Sequence, residues 1–250
     1  MSDGRACALS SAGRCRAPRE IQIESRYALD MARPRIGVVI PALNEEQSIA
    51  DVVLRARDFG TVIVVDDGSN DGTGARALAA GAEVVRHECN QGYDAALNSG
   101  FARAADIGCA SVVTLDADGQ HDPMLLRQFI DALDGQATLV VGVRDRFQRF
   151  AERLFAWVAH LRWNIRDPLC GMKAYQMTIY RELGHFDSYK SIGTELAIFA
   201  ATRGCPIIEI PIRTRERIGV PRFGRRIVGN WRIVRSLILS QVRSLRAVIR

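Results

Sequence analysis

Paired cysteines are missing from this 250-residue chain: its six cysteines (7, 15, 89, 109, 170 and 205) make no C-x-x-C pair, and its four histidines are scattered. Neither a zinc centre nor a disulfide framework is indicated, and a reducing compartment is expected. No apolar run approaches the roughly 18 to 20 residues that cross a bilayer. Residues 1–33, six of them arginine, lack the apolar stretch of a signal peptide and read as a poorly ordered leader. Glycine-built phosphate loops are absent as well. Gly68, Gly72 and Gly74 follow two aspartates and fit neither G-x-G-x-x-G nor G-x-x-x-x-G-K-[ST].

Apolar residues, by contrast, make up 48% of the chain, enough for the core of one domain. The net charge of +6 is unevenly spread. Residues 211–250 hold eleven arginines against one acid, Glu216, which is +10 and leaves −4 for the remainder. A localised basic end implies an anionic partner: nucleic acid, a membrane surface or a phosphorylated substrate.

Short β-branched runs at 36–40, 61–65, 82–85, 111–115 and 138–143 alternate with helical patterns at 46–58, 71–80, 93–106 and 123–133. The last pattern has Asp122 as its N-cap and Pro123 at the first helical position. This order predicts an α/β domain with a mostly parallel central sheet covered on both faces. Ligands of such sheets collect outside the carboxyl ends of the strands. The acids fall there: Pro41, Ala42, Leu43, Asn44 and Glu45 follow the first run, Asp66 and Asp67 the second, Asp116 and Asp118 the fourth. Taken singly, N-E-E is also a good helix cap and D-D-G-S-N-D-G-T a good turn.

The stretch T-L-D-A-D-G-Q-H-D-P concentrates the chemistry. Alternate residues of an extended segment share a face, so Asp116 and Asp118, with Gln120 two positions on, can reach one hard divalent ion. Mg²⁺ or Mn²⁺ held there would bridge a diphosphate. Asp122 reads as the helix cap; His121 could be a ligand or a base, and its place beside Asp122 and Pro123 favours supporting a ligand or capping the helix.

Seven segments in register carry a resemblance: V-V-I-P-A-L-N-E-E, V-V-D-D-G-S-N-D-G-T, N-Q-G-Y-D-A-A-L-N-S-G-F, L-D-A-D-G-Q-H, V-G-V-R, D-P-L-C-G-M-K-A-Y and G-T-E-L. Over about residues 36–224 the chain resembles the inverting family 2 glycosyltransferases of A-type fold, of the dolichyl-phosphate mannose synthase kind. The resemblance implies one Rossmann-like catalytic domain at 34–228 that binds a nucleotide sugar. Pro41, Leu43, Glu45, Val65 and Asp67 would surround the nucleoside. Asp116, Ala117, Asp118 and Gln120 would lie on the metal and diphosphate, and Arg144 on a phosphate. Arg217, Gly219, Arg222 and Gly224 resemble the family's flexible R-x-G-x-x-K-x-G loop, which closes over donor and acceptor. Asp118, Arg144, Arg217 and Arg222 are thus the expected catalytic residues. The chain departs from the family in having Pro221-Arg222 for Ser-Lys, Leu43 for an aromatic residue, and Tyr93 after N-Q-G, which leaves the base and sugar open.

The implied reaction moves a hexose from a GDP-mannose or UDP-glucose type donor to a polyprenyl phosphate at the cytoplasmic face of a membrane. A lipid monophosphate, with a second pKa near 6, attacks at neutral pH without a strong base. A hydroxyl acceptor would need one, and Asp167 and Glu195 are the available carboxylates, each equally readable as a loop cap or helix-start acid. Residues 229–250 are predicted to form a basic amphipathic helix. Trp231, Val234, Ile238, Val242, Leu245 and Ile249 share a sector, with Arg232, Arg235, Arg243, Arg246 and Arg250 beside it. That helix either packs on the domain with a solvated basic flank or lies on an anionic bilayer. Failing that, a separate membrane partner would have to bring the site to lipid; a homo-oligomer is a further possible assembly. Two rivals stand beside this reading. One is a soluble transferase acting on a sugar or small-molecule hydroxyl. The other is a nucleic-acid-binding α/β protein using the arginine tail, which leaves the acidic crevice unexplained, so nucleic acid is not expected as a partner.

Overall fold

Seven strands form one sheet among the residues that the computed structural model describes, 35–147, 149–213 and 226–248. The expected leader and the loop residues Arg217, Gly219, Arg222 and Gly224 lie outside the described residues. The described elements all belong to one unit, Arg35–Arg250. The strands are β1 (Ile36–Ala42), β2 (Thr61–Asp66), β3 (Glu83–Arg86), β4 (Ser111–Thr114), β5 (Leu139–Arg144), β6 (Lys173–Gln176) and β7 (Ile207–Ile212). Their order is β3-β2-β1-β4-β6-β5-β7. All neighbours are parallel except that β6 runs antiparallel to both β4 and β5.

The apolar runs of β1, β2 and β5 are buried because helices cover both faces, as near-continuous hydrophobic strands require. The helices are α1 (Ile49–Ala56), α2 (Thr73–Ala79), α3 (Tyr93–Asp106), α4 (Leu126–Asp134), α5 (Phe150–Trp163), α6 (Met177–Leu183), α7 (Glu195–Thr202) and α8 (Arg226–Val248). A 3₁₀ turn, Pro123–Leu125, leads into α4, and Asp122 caps it by accepting from the Met124 N–H. Val38, Ile40, Val53, Phe129 and Leu133 fill one side of the sheet. Val39, Ile63, Phe101, Phe155, Tyr175 and Leu196 fill the other, where Phe101 meets Phe186 and Tyr175 at ring separations of 4.6 and 5.6 Å.

Four of the predicted strands end a residue or two later in space than in sequence pattern, at Ala42, Asp66, Arg86 and Arg144. The strands β6 and β7 and helices α5 to α7 had no counterpart in the pattern. K-A-Y-Q is a strand because Thr114 pairs with Lys173 across the β4–β6 ladder, a long-range contact with no local signal.

Helix α8 starts at Arg226 and packs against α5 and α7. Its buried stripe is Gly229, Ile233, Ser236, Leu237 and Ser240. At 100° per residue Trp231, Ile238 and Val242 fall on the opposite side. They are exposed, Trp231 by 65%.

Candidate active site

The chain builds outward from β1 to β2 and β3, then returns through α3 to β4 on the other flank of β1. The carboxyl ends of β2, β1 and β4 therefore stand side by side at a topological switch point, where α/β sheets bind ligands. Pro41 pairs with Val65 and Ala42 with Asp66, so the first two acidic segments leave the sheet together.

Those segments are stitched to one another. The Asn44 N–H donates to Ser69 Oγ at 2.8 Å and the Glu45 N–H to Thr73 Oγ1 at 2.7 Å. In return the Asn70 N–H donates to Asn44 Oδ1 at 2.8 Å, and the Gly72 N–H to Glu46 at 3.1 Å. Asn44 takes a left-handed φ of 46°, a conformation asparagine tolerates. N-E-E and D-D-G-S-N-D-G-T are thus one bonded unit. Beneath it Val65, Asp67 and Glu45 are buried, while Pro41 and Leu43 are half-buried.

Beyond β4, Ala117 and Asp118 are buried, and Asp116 and Gln120 are half-buried. Asp118 Oδ1 accepts from the Gln120 N–H at 3.0 Å. Asp116 lies against Gly171, where an added Cβ would fall 2.0 Å from its Oδ2, so only glycine fits the G-M-K position. Burial works against the Asp116 charge, but His121, Lys173 and Arg144 outweigh it and hold this carboxyl below its usual range. His121 Nε2 is 3.4 Å from Asp116 Oδ2, and its buried Nδ1 has no hydrogen-bond partner. These donors suit a hard divalent cation. Among the described residues no three of His, Cys, Asp and Glu form a ready-made metal cage, so such an ion must take further oxygens from a diphosphate and water.

Arg144, at the end of β5, is committed to Asp167. Its Nε donates to Oδ2 at 2.8 Å, its Nη2 to Oδ1 at 2.9 Å, and its backbone N–H to Oδ2 at 3.1 Å. Asp167 is 0% exposed. Burial opposes the Arg144 charge, but the hydrogen bonds and charge of Asp167 outweigh it and raise the guanidinium pKa. Glu195, at the start of α7, is also engaged: it accepts from the Ser188 N–H and hydroxyl and meets His185 and Arg243.

Sequence reasoning missed three residues that face this crevice and undervalued Tyr93. Lys173, 4% exposed, donates from Nζ to Gly193 O at 3.0 Å. Burial lowers its pKa against the pull of Cys170, Asp167 and Asp116. Asp94 accepts from the Gly193 N–H at 2.7 Å and is raised to about 6, by burial first and Asp187 second. Tyr93 is pushed well above its ordinary range by burial and by Asp116 and Asp94, so it stays a donor. His87 bonds Asp67. Lys173 and Asp94 sat inside quoted motifs, yet nothing in their spacing marked them as buried.

Known proteins resemble this chain over most of its length. An undecaprenyl-phosphate mannosyltransferase of Micrococcus luteus is 30% identical over 220 residues, 78% of this chain and 90% of the relative. A dolichyl-phosphate hexose transferase of Haloferax volcanii is 32% identical over 197 residues, 74% of this chain and 84% of the relative. Glucosyl-3-phosphoglycerate synthase from Mycobacterium tuberculosis, solved with Mn²⁺ and UDP-glucose, superposes with a TM-score of 0.69 at 24% identity, covering 86% of this chain and 82% of that one. This last likeness shows the A-type fold. The glycosyl transferase family 2 profile matches residues 37–190, and the chain belongs to that family: it is a glycosyltransferase.

Proposed function

We propose that the chain transfers a hexose, with inversion, from a nucleoside diphosphate sugar to a polyprenyl phosphate at the cytoplasmic face of a membrane, using Mg²⁺ or Mn²⁺. The observation that carries the acceptor class is the state of the two carboxylates that a hydroxyl acceptor would need as base. Asp167 is forked by Arg144, and Glu195 is held by Ser188, His185 and Arg243. Both are already occupied by these partners rather than held ready for an incoming hydroxyl, whereas a phosphate dianion needs no base. Names of relatives such as the M. luteus enzyme favour the same acceptor.

In this reading Asp116 and Asp118, with the Gln120 amide, hold the metal, whose charge would offset what builds on the departing nucleoside diphosphate. Pro41, Leu43, Glu45, Val65 and Asp67 enclose the nucleoside, and Ala117 lies against the diphosphate. Asp167 fixes the Arg144 fork, and that rigid cation, with Arg217 and Arg222, orients the acceptor phosphate for in-line attack. The exposed stripe of α8 would rest on the bilayer. Helix α5, packed against α8, also turns Phe150, Trp157 and Leu161 outward, and Arg153, Arg162, Arg232 and Arg235 are exposed on the same two helices. Among the described residues no helix is long and apolar enough to cross a membrane.

A pH–rate profile tests the acceptor class. With a phosphate acceptor, kcat/KM should rise with the acceptor's second ionisation near pH 6, and Glu195→Gln should leave that limb in place. A rising limb that disappears in Glu195→Gln would favour the hydroxyl reading instead.

A further inference from the structure

Asp67 is surrounded by donors. His87 follows β3, its backbone N–H tied to Asp66 O at 2.9 Å and its ring 8% exposed. The ring stands between two side chains, with Nδ1 2.7 Å from Asp67 Oδ1 and Nε2 2.8 Å from Ser99 Oγ on α3. A carboxylate only accepts, so Nδ1 carries the hydrogen and Nε2 faces the hydroxyl. The Gln91 N–H donates to Oδ1 at 2.9 Å and the Gly92 N–H to Oδ2 at 2.8 Å. These two amides reach Asp67 because Gly68, at φ 77°, lets the following loop press close: an added Cβ there would lie 2.6 Å from the Cys89 carbonyl carbon. Three donors thus fill both positions on Oδ1 and one on Oδ2, leaving Oδ2 a single oriented acceptor position.

We propose that His87 is a positioning residue for the donor base: through Nδ1–H it fixes Asp67 as an acceptor aimed at a ring N–H, and so selects the base. This rests on the reading that Asp67 meets the nucleoside. Uracil and guanine present such an imino N–H. Cytosine and adenine present a lone pair at the corresponding nitrogen, which would face the carboxylate oxygen and be repelled. Ser99 holds the far side of the ring and keeps its plane fixed. Without the imidazole, Asp67 loses one of its two Oδ1 donors and is held by the Gln91 and Gly92 amides alone, so its aim loosens, which weakens the contact to an imino base and leaves an already poor contact to cytosine or adenine unchanged.

The test is calorimetric binding of UDP, GDP, CDP and ADP, each with Mn²⁺, to the full chain and to His87→Leu, His87→Asn, Ser99→Ala and Asp67→Asn. The wild type should prefer UDP to CDP, or GDP to ADP. His87→Leu should shrink that preference about tenfold, the worth of one well-placed hydrogen bond. His87→Asn, whose amide N–H reaches where Nδ1 stands, should retain most of it. A merely structural role would weaken both members of a pair alike, so an unchanged ratio in His87→Leu overturns the proposal. Should that variant not fold, Ser99→Ala reads the same ratio: a fall supports the role and no change overturns it. If Asp67→Asn also keeps the wild-type preference, the base does not meet Asp67 and the site reading itself fails.

Discussion

At the scale of single residues, the site is a set of charges whose neighbours decide what each can do. Asp116 and Asp118 are the pair on which metal use turns, and Asp118→Ala should abolish transfer while thermal unfolding and circular dichroism stay as in the wild type. Full activity of that variant, or of chelator-treated enzyme, would remove the metal assignment. Asp167→Asn should be costly twice over. It leaves the half-buried Arg144 with Glu152, 3.6 Å away, as its charge partner, a loss on the order of 2–3 kcal/mol, and it loosens the fork that the proposed reaction needs. Asp94 gives a pH-dependent signature. Its pKa of about 6 in the folded chain lies above its ordinary 3.8, so the folded state binds the proton more tightly. The stability this contributes is complete below about pH 4 and is lost as pH rises through 6. Asp94→Asn removes that dependence, so the melting temperature of the variant relative to wild type should climb between pH 4 and pH 7.

At the scale of elements, the acidic loops were legible and their supports were not. Asp66, Asp67, Asp116 and Asp118 stand where apolar runs stop, and that boundary is visible in the chain because strand periodicity ends in turn residues. Helix α3 was bounded from pattern alone at Tyr93–Asp106, and Asp122 was recognisable as a cap because the capping chemistry is local. The engagement of Arg144 by Asp167 could not be read, since it joins β5 to a loop 23 positions on. Nor could β6, whose pairing with β4 spans 59 positions at Thr114 and Lys173. Helix α8 shows the division most plainly. Trp231, Ile238 and Val242 were grouped by spacing but with their direction left open, and Val234, grouped with them, is half-buried against the core; the stripe that buries the helix, Gly229, Ile233, Ser236, Leu237 and Ser240, includes a glycine and two serines and was not read. Deleting the helix would therefore expose core. Trp231→Asp with Ile238→Asp is the better test: it should lower sedimentation with anionic liposomes several-fold and leave the melting temperature within a degree or two. Unchanged sedimentation would return α8 to a purely packing role.

At the scale of the whole molecule, the fold gathers negative charge at the carboxyl ends of β1, β2 and β4 while α5 and α8 present arginines and exposed aromatic side chains. A cation and a sugar diphosphate suit the first, and an anionic surface suits the second. The central claim joins the two: a metal-assisted transfer whose nucleophile is a lipid phosphate. The measurement that bears on it most directly supplies the purified chain with labelled GDP-mannose or UDP-glucose, Mn²⁺, and either polyprenyl phosphate in anionic vesicles or free sugar and small-molecule hydroxyl acceptors. The account predicts label in an acid-labile lipid product that disappears with a chelator and returns when Mn²⁺ is restored. Label appearing only on a hydroxyl acceptor, or lipid transfer undiminished after chelation, would contradict it.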